Sequence, residues 1–333
     1  MQKLIKSLEN IQQVETILKQ ERNFEINKQD DHGDSLIHFA SRTHNLAAMK
    51  LLIEYGADPE AVNEHGRRPI HEAIDSIECV NYLVNTCKVD VNAMKRGDWT
   101  PLMIAAMKGY LDIVMILVNA GALLNRTTKD GRSALYLAIQ EGHVELAKYL
   151  TNQHPQAITQ PTKSGRLPIQ AAAALLDNTT AYEITTYLLC HASVPISRLL
   201  SHRDNSGRDL LLDAAVSQNL ELLKYLLDHG ADPNDKDSLG RTMIHHAAMM
   251  DHLKVLRLLE STDGIQWDAP DAWDSWTALM HCSRQGHINT VKYLIEEIKV
   301  NVNHKDKQGR TAKDIALLWH HEDIVEYMCN REM

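Results

Sequence analysis

Apolar residues along this chain come in short bursts at helical spacing, each halted by a glycine or asparagine and then resumed. Residues 98–122, "DWTPLMIAAMKGYLDIVMILVNAGA", show the unit: one run from Leu102, a stop at Gly109, a second run from Leu111, and a second stop at Gly121. Spacings of three and four predict two short amphipathic helices written back to back. Glycine at the stops suits the left-handed backbone that ends a helix. The arrangement recurs. Anchored on Gly33, Gly66, Asp98, Gly131, Gly165, Gly207, Gly240, Ser275 and Gly309, successive copies lie 33, 32, 33, 34, 42, 33, 35 and 34 residues apart. No single copy can bury its apolar face, so a period of this size predicts a stacked array.

The columns agree from copy to copy. Two residues after the anchors stand Ser35, Arg68, Thr100, Ser133, Leu167, Asp209, Thr242, Thr277 and Thr311, of which seven of nine can cap a helix through a side-chain oxygen. Pro69, Pro101 and Pro168 follow, at the first helical position, where proline loses no needed donor. Next comes an apolar column, Ile37, Ile70, Leu102, Leu135, Ile169, Leu211, Ile244 and Leu279, broken by Lys313. Three residues on is a small column, Ala40, Ala73, Ala105, Ala138, Ala172, Ala214, Ala247, Cys282 and Ala316, which lets neighbouring helices approach closely.

These columns resemble the T-P-L-H-x-A-A signature of the ankyrin repeat, over residues 30–333. The resemblance implies an all-α solenoid of about nine helix-turn-helix repeats with β-turn fingers, one elongated domain capped by an N-terminal helical half-repeat at 1–29. "HHEDIVEYMCNREM" closes the other end. Three places depart from the pattern: a shortened link in "HEAIDSIECVNYLV", a long connection in "SVPISRLLSHRDNSG", and an aromatic-laden finger in "WDAPDAWDSWTAL".

Composition narrows the function. The net charge of −9 argues against general nucleic-acid binding. No window approaches the roughly 18 apolar residues of a membrane helix, so neither direct nucleic-acid nor membrane contact is expected. The five cysteines form no CxxC pair, which fits a reducing compartment, the cytoplasm and secondarily the nucleus. There is no Gly-rich phosphate loop, HExxH or GxSxG, so no catalytic residue and no cofactor is expected. The 18 histidines include His245-His246 and His320-His321, but adjacent helical residues point about 100° apart and no metal site is expected. In the resemblance, His38, His71 and His245 fall in the TPLH column, whose imidazole bonds backbone groups between adjacent loops.

The fingers carry the candidate chemistry. Directly after the anchors come Arg67, Arg132, Arg166, Arg208, Arg241 and Arg310, with Trp99 and Trp276 in the same column. Solvated surface charge is one reading; a recognition strip is the other, since Arg and Trp are enriched at interface hot spots. Lys95, Lys129 and Lys163 recur at intervals of 34 residues beside Arg96, Arg126, Arg132 and Arg166. Neighbouring positive charge should ease their deprotonation, and a neutral amine attacks activated acyl groups. Trp267, Trp273 and Trp276 form a second aromatic cluster, either cover for the stack or a partner patch. The strip is expected to be exposed along fingers three to five, with Trp99 as its anchor.

"RRPIHEA", "MKRGDWTPLMIAA", "TKDGRSALYLAIQEG" and "DSLGRTMIHHAA" further resemble, in order and register, an ankyrin-repeat subfamily described as partners of alanyl-tRNA synthetase. That resemblance implies a role in limiting serine mistranslation, with misactivated serine accepted on finger lysines. Lys129 matches a family lysine; one finger earlier the position holds Arg96 beside Lys95, and one finger later it holds Thr159, with Lys163 four residues on. The expected function is a monomeric, non-enzymatic scaffold for a protein partner. Stoichiometric acyl acceptance on lysine, and asparagine hydroxylation at Asn92, Asn234 or Asn303, are the alternatives.

Overall fold

The computed structural model describes residues 10–20 and 25–331. Of the expected cap, segments 1–9 and 21–24 lie outside the described residues, as do positions 332–333. Within the cap the helix Ile11–Gln20 is described. The chain groups into two compact units, 1–160 and 161–333. Both are all-α: β pairing among the described residues is confined to isolated bridges, Lys95 with Trp99 and Thr127 with Ser133.

In the first unit the opening helices of the repeats, Leu36–Arg42, Pro69–Glu72, Pro101–Lys108 and Ala134–Gln140, stack in sequence, and all but the short Pro69–Glu72 pack on their own second helix. In the second unit Pro168–Ala173, Leu210–Val216, Met243–Met249, Ala278–Gln285 and Ala312–Leu318 do the same. The start signals work as the sequence implies. Thr100 accepts a hydrogen bond from the Met103 amide and Pro101 opens the helix, which ends at Gly109 with φ of 76°. Ser133 and Asp209 cap theirs through the amides of Tyr136 and Leu212. The small column is fully enclosed: Ala40, Ala73, Ala105 and Ala138 in one unit, and Ala172, Ala214, Cys282 and Ala316 in the other, each have 0% exposure.

Side chains clasp neighbouring repeats within each unit. In His38, His71 and His245 the Nδ1 atom accepts from the capping residue's amide, while Nε2–H donates to Arg67, Ala93 and Trp276 carbonyls at 3.1, 3.0 and 3.2 Å. Gln170 makes the same two bonds with an amide, accepting from the Leu167 N–H and donating to the Arg208 carbonyl. Burial pushes His71 and His245 down to about 4, so both rings are neutral at physiological pH. A second set escaped sequence reasoning: His143, His287 and His321 open second helices and donate back to the carbonyls of Met107, Met249 and Arg284. Their common signal is a histidine placed directly after, or aligned with, the first-helix stop. Asparagines form the third clasp. Asn92 bonds the Gly121 carbonyl and the Leu123 amide, and Asn234 bonds the Gly264 carbonyl and the Gln266 amide. Asn303, the third hydroxylation candidate, is exposed.

Two irregularities resolve differently from expectation. In the second repeat the first helix is short, not the link: Pro69–Glu72 has only four residues, and 73–76 join it to the helix that Ser76 caps. The long connection is not a loop. Extra length enters a 14-residue helix, Asn178–His191, and a further turn, Ile196–Leu200, because Leu199 and Leu200 are apolar enough to be buried.

Candidate interaction surface

Within each unit, neighbouring fingers are tied by one backbone bond, and these bonds define a common register. In the first unit the amides of Glu64, Arg96 and Lys129 donate to the carbonyls of His32, His65 and Gly97. In the second, Asn205, Ser238, Ala272 and Lys307 donate to Ser164, Ser206, Leu239 and Asp274. Arg96 and Lys129 therefore hold equivalent tip positions, and both are exposed. Counted from its own anchor Gly165, Lys163 takes this position too and is exposed. Lys95 does not. Even spacing of 34 residues suggested otherwise, but it sits one residue before the tip.

That single step turns Lys95 inward. Its backbone pairs with Trp99, and its ammonium lies 5.3 Å from the centre of the Trp99 ring. Burial, and then the charge of Arg67, push the Lys95 amine below its ordinary value. Trp99 itself is half-buried under this ammonium, which corrects the expectation of a freely exposed indole. Both residues line a groove of ≈ 330 Å³ together with Arg42, Arg67, Glu72 and Lys108. Glu72 is buried, and Arg42 and Arg67 bond it at 3.1 Å each. Burial opposes its ionisation, but those two guanidiniums outweigh the penalty and hold the carboxyl below the usual range. Sequence reasoning missed Arg42 and Glu72. Their signal was a charged residue on the first helix just beyond the alanine and histidine columns.

The arginine ladder is largely spent inside the molecule. The six arginines are half-buried, not exposed, and each meets a carboxylate. Arg67 meets Glu72 and Arg132 meets Asp130, both at 3.1 Å; Arg241 meets Asp237 at 2.8 Å and Arg310 meets Asp306 at 2.7 Å. In the second unit Arg166 and Arg208 converge on Asp213 at 3.0 and 2.9 Å. Asp213 is fully buried, and neither guanidinium is aligned to give it a hydrogen bond. Burial accordingly pushes its carboxyl up to about 6 despite two cations. Of the cationic candidates, Arg96 and Arg126 in the first unit remain exposed beside Lys129.

The tryptophans of the eighth finger separate. Trp276 is 7% exposed, its indole N–H donates to Asp306 at 3.1 Å, and its ring meets His281 edge-on. It is a packing residue, and its expected place in a partner surface is withdrawn, because an acid from the next repeat draws the indole inward. Trp273 is 71% exposed. The terminal repeat adds an exposed apolar trio, Leu317, Leu318 and Trp319, with the Arg284 guanidinium 4.6 Å from the Trp319 ring.

Family models described as "Ankyrin repeats (3 copies)" match residues 4–95, 87–162 and 262–333, and one described as "Ankyrin repeats (many copies)" matches 211–260. The chain belongs to the ankyrin-repeat family. Among its relatives, human transient receptor potential cation channel subfamily A member 1 is 25% identical over 89% of this chain and 27% of its own length. Rat cyclin-dependent kinase 4 inhibitor B is 35% identical over 35% of this chain and 92% of its own. The probable 26S proteasome regulatory subunit p28 of Saccharomyces cerevisiae is 24% identical over 69% of this ankyrin-repeat chain and 97% of its own. The chain spans less than half the length of the channel subunit and of the other long relatives it matches. Ankyrin repeats are protein-interaction modules.

Proposed function

We propose that this ankyrin-repeat protein is a non-enzymatic scaffold whose finger tips and first-helix surfaces bind another protein. The observation that carries this reading is the set of cationic finger residues, Arg96, Arg126 and Lys129, left exposed in a chain of net charge −9. Such a local reversal of sign steers an acidic partner surface and fixes its register. Relatives named as a kinase inhibitor and a proteasome subunit support action upon other proteins. Alanyl-tRNA synthetase, implied by the subfamily resemblance, is the partner to test first, for a monomer working in the cytoplasm to limit serine mistranslation.

One observation favours the acceptor reading beside it: Lys129 and Lys163 present exposed side chains at the same finger position. In that chemistry a neutral lysine amine attacks seryl-adenylate, forms a seryl amide and releases AMP, with the ammonium proton passing to solvent. Incubation with the synthetase, serine and ATP, followed by co-sedimentation and mass spectrometry, separates the readings. Complex formation without adducts supports the scaffold. Adducts at Lys129 support acceptance. Neither outcome removes the synthetase as partner.

A further inference from the structure

The groove around Lys95 and Trp99 has a charge it does not satisfy. Four cationic side chains, Arg42, Arg67, Lys95 and Lys108, line it against two carboxylates, Glu72 and Asp75. Those carboxylates are already taken: Glu72 by Arg42 and Arg67, Asp75 by Lys108. His71 adds no charge, being held neutral by its burial and bonded to the Ala93 carbonyl. Lys95 is left with a tryptophan face and no carboxylate within ion-pair distance among the described residues. Beside it the wall turns apolar, through Trp99, Ile104 and Met107.

We infer that this groove receives an extended segment of a partner protein that carries an aspartate or glutamate next to an apolar residue. The acid meets the Lys95 ammonium, with Arg67 behind it, and the apolar neighbour packs on Trp99, Ile104 and Met107. A carboxylate suits the groove better than a phosphate or a nucleic acid. The paired Glu72 and Asp75 stay in the wall and repel a multiply charged anion, whereas a single charge is compensated by the one uncommitted ammonium. A half-buried charge pair beside an aromatic surface also has the make-up of an interface hot spot. This deepens the interaction reading above and names the partner's chemistry at one site.

A random 12-residue peptide library displayed on phage and selected on the full chain supplies the test, with winners measured by fluorescence polarisation. Enriched peptides are expected to place an acid beside an apolar residue. Lys95→Glu, and an acid-to-amide change in the peptide, should each weaken binding about 10-fold or more, equivalent to about 1.4 kcal/mol. Lys95→Arg should retain affinity within about 3-fold, and Lys50→Glu, exposed on the second helix Leu46–Glu54 and outside the groove, should change it little. Lys95→Gln serves as a second loss variant should Lys95→Glu lower the thermal midpoint. Enriched peptides without an acidic residue, indifference to both Lys95 variants, tighter binding of the phosphoserine version, or no enrichment at all overturns the inference. The measurement uses peptides alone, so a synthetase that fails to bind leaves it untouched; equally, a partner held only at the finger tips survives its failure.

Discussion

His71→Ala removes two bonds at once, the one its Nδ1 accepts from the Arg68 amide and the one its Nε2–H donates to Ala93, both at 3.0 Å. The position is 6% exposed, so water cannot replace either bond without entering the stack. An unpaired buried backbone group costs about 1–3 kcal/mol. Two such groups and some lost packing set the expected loss at about 2–4 kcal/mol in the first unit. His71→Gln should recover most of it, to within about 1 kcal/mol of wild type, because Gln170 makes the equivalent pair of bonds with an amide. Acid supplies an independent check. With the ring held at about 4 when folded against an ordinary 6.5, the folded state resists protonation. The stability this contributes is complete above pH 6.5 and lost as pH falls toward 4, about 3 kcal/mol in all. His71→Gln should abolish that part of the acid loss. Urea unfolding at several pH values, with hydrogen exchange read on the first unit, measures both effects. If glutamine destabilises as much as alanine, the clasp is not what holds these repeats, and the reasoning fails.

Other expectations can be checked in the same unfolding assay. Ala105→Leu, at a position with 0% exposure, should cost about 1–3 kcal/mol by overpacking, while Thr100→Ala, which loses the bond from the Met103 amide, should cost about 1 kcal/mol. Wild-type stability in both would disprove the repeat register. Trp276→Ala should destabilise the second unit by about 3 kcal/mol or more, through lost packing and the lost indole bond to Asp306; a stable variant with weakened partner binding would return this indole to the surface. The Asp213 carboxyl, pushed up by burial to about 6, should titrate near that pH by carbon NMR. Its folded value lies above the ordinary one, so the contribution is present at low pH and lost as pH rises from 4 through 6. A midpoint below 4 would show that Arg166 and Arg208 compensate the charge after all.

Repeat comparison made most of the fold legible. A buried alanine recurs where first helices touch, and a serine, threonine or aspartate recurs where they begin, because those constraints act within one copy and appear in every copy. What escaped is pairing that no single column displays. The arginine column looked free since each acid that meets it stands elsewhere: five residues on for Arg67, four residues back for Arg241 and Arg310, and in the next first helix for Arg166. "DSLGR" and "DKQGR" carried the four-residue signal in plain view. The turn Ile196–Leu200 read as a loop because five residues are too few for a helical period to declare itself. Lys95 was grouped with Lys129 by equal spacing, while the finger register differs by one residue, and one residue separates a solvated tip from a groove wall.

The clasps between repeats have a hereditary consequence. Each of these histidines, glutamines and asparagines reaches for a backbone carbonyl or amide in an adjacent copy, not for a particular side chain there. A duplicated repeat arrives carrying both its own hook and the main-chain eye for its neighbour's, so gaining a copy need not wait for compensating mutations. Substituting His71, His245 or Asn92 within a copy is another matter, since the damage is felt one repeat away. Lineages of such proteins should therefore vary readily in repeat number and only reluctantly at the hooks.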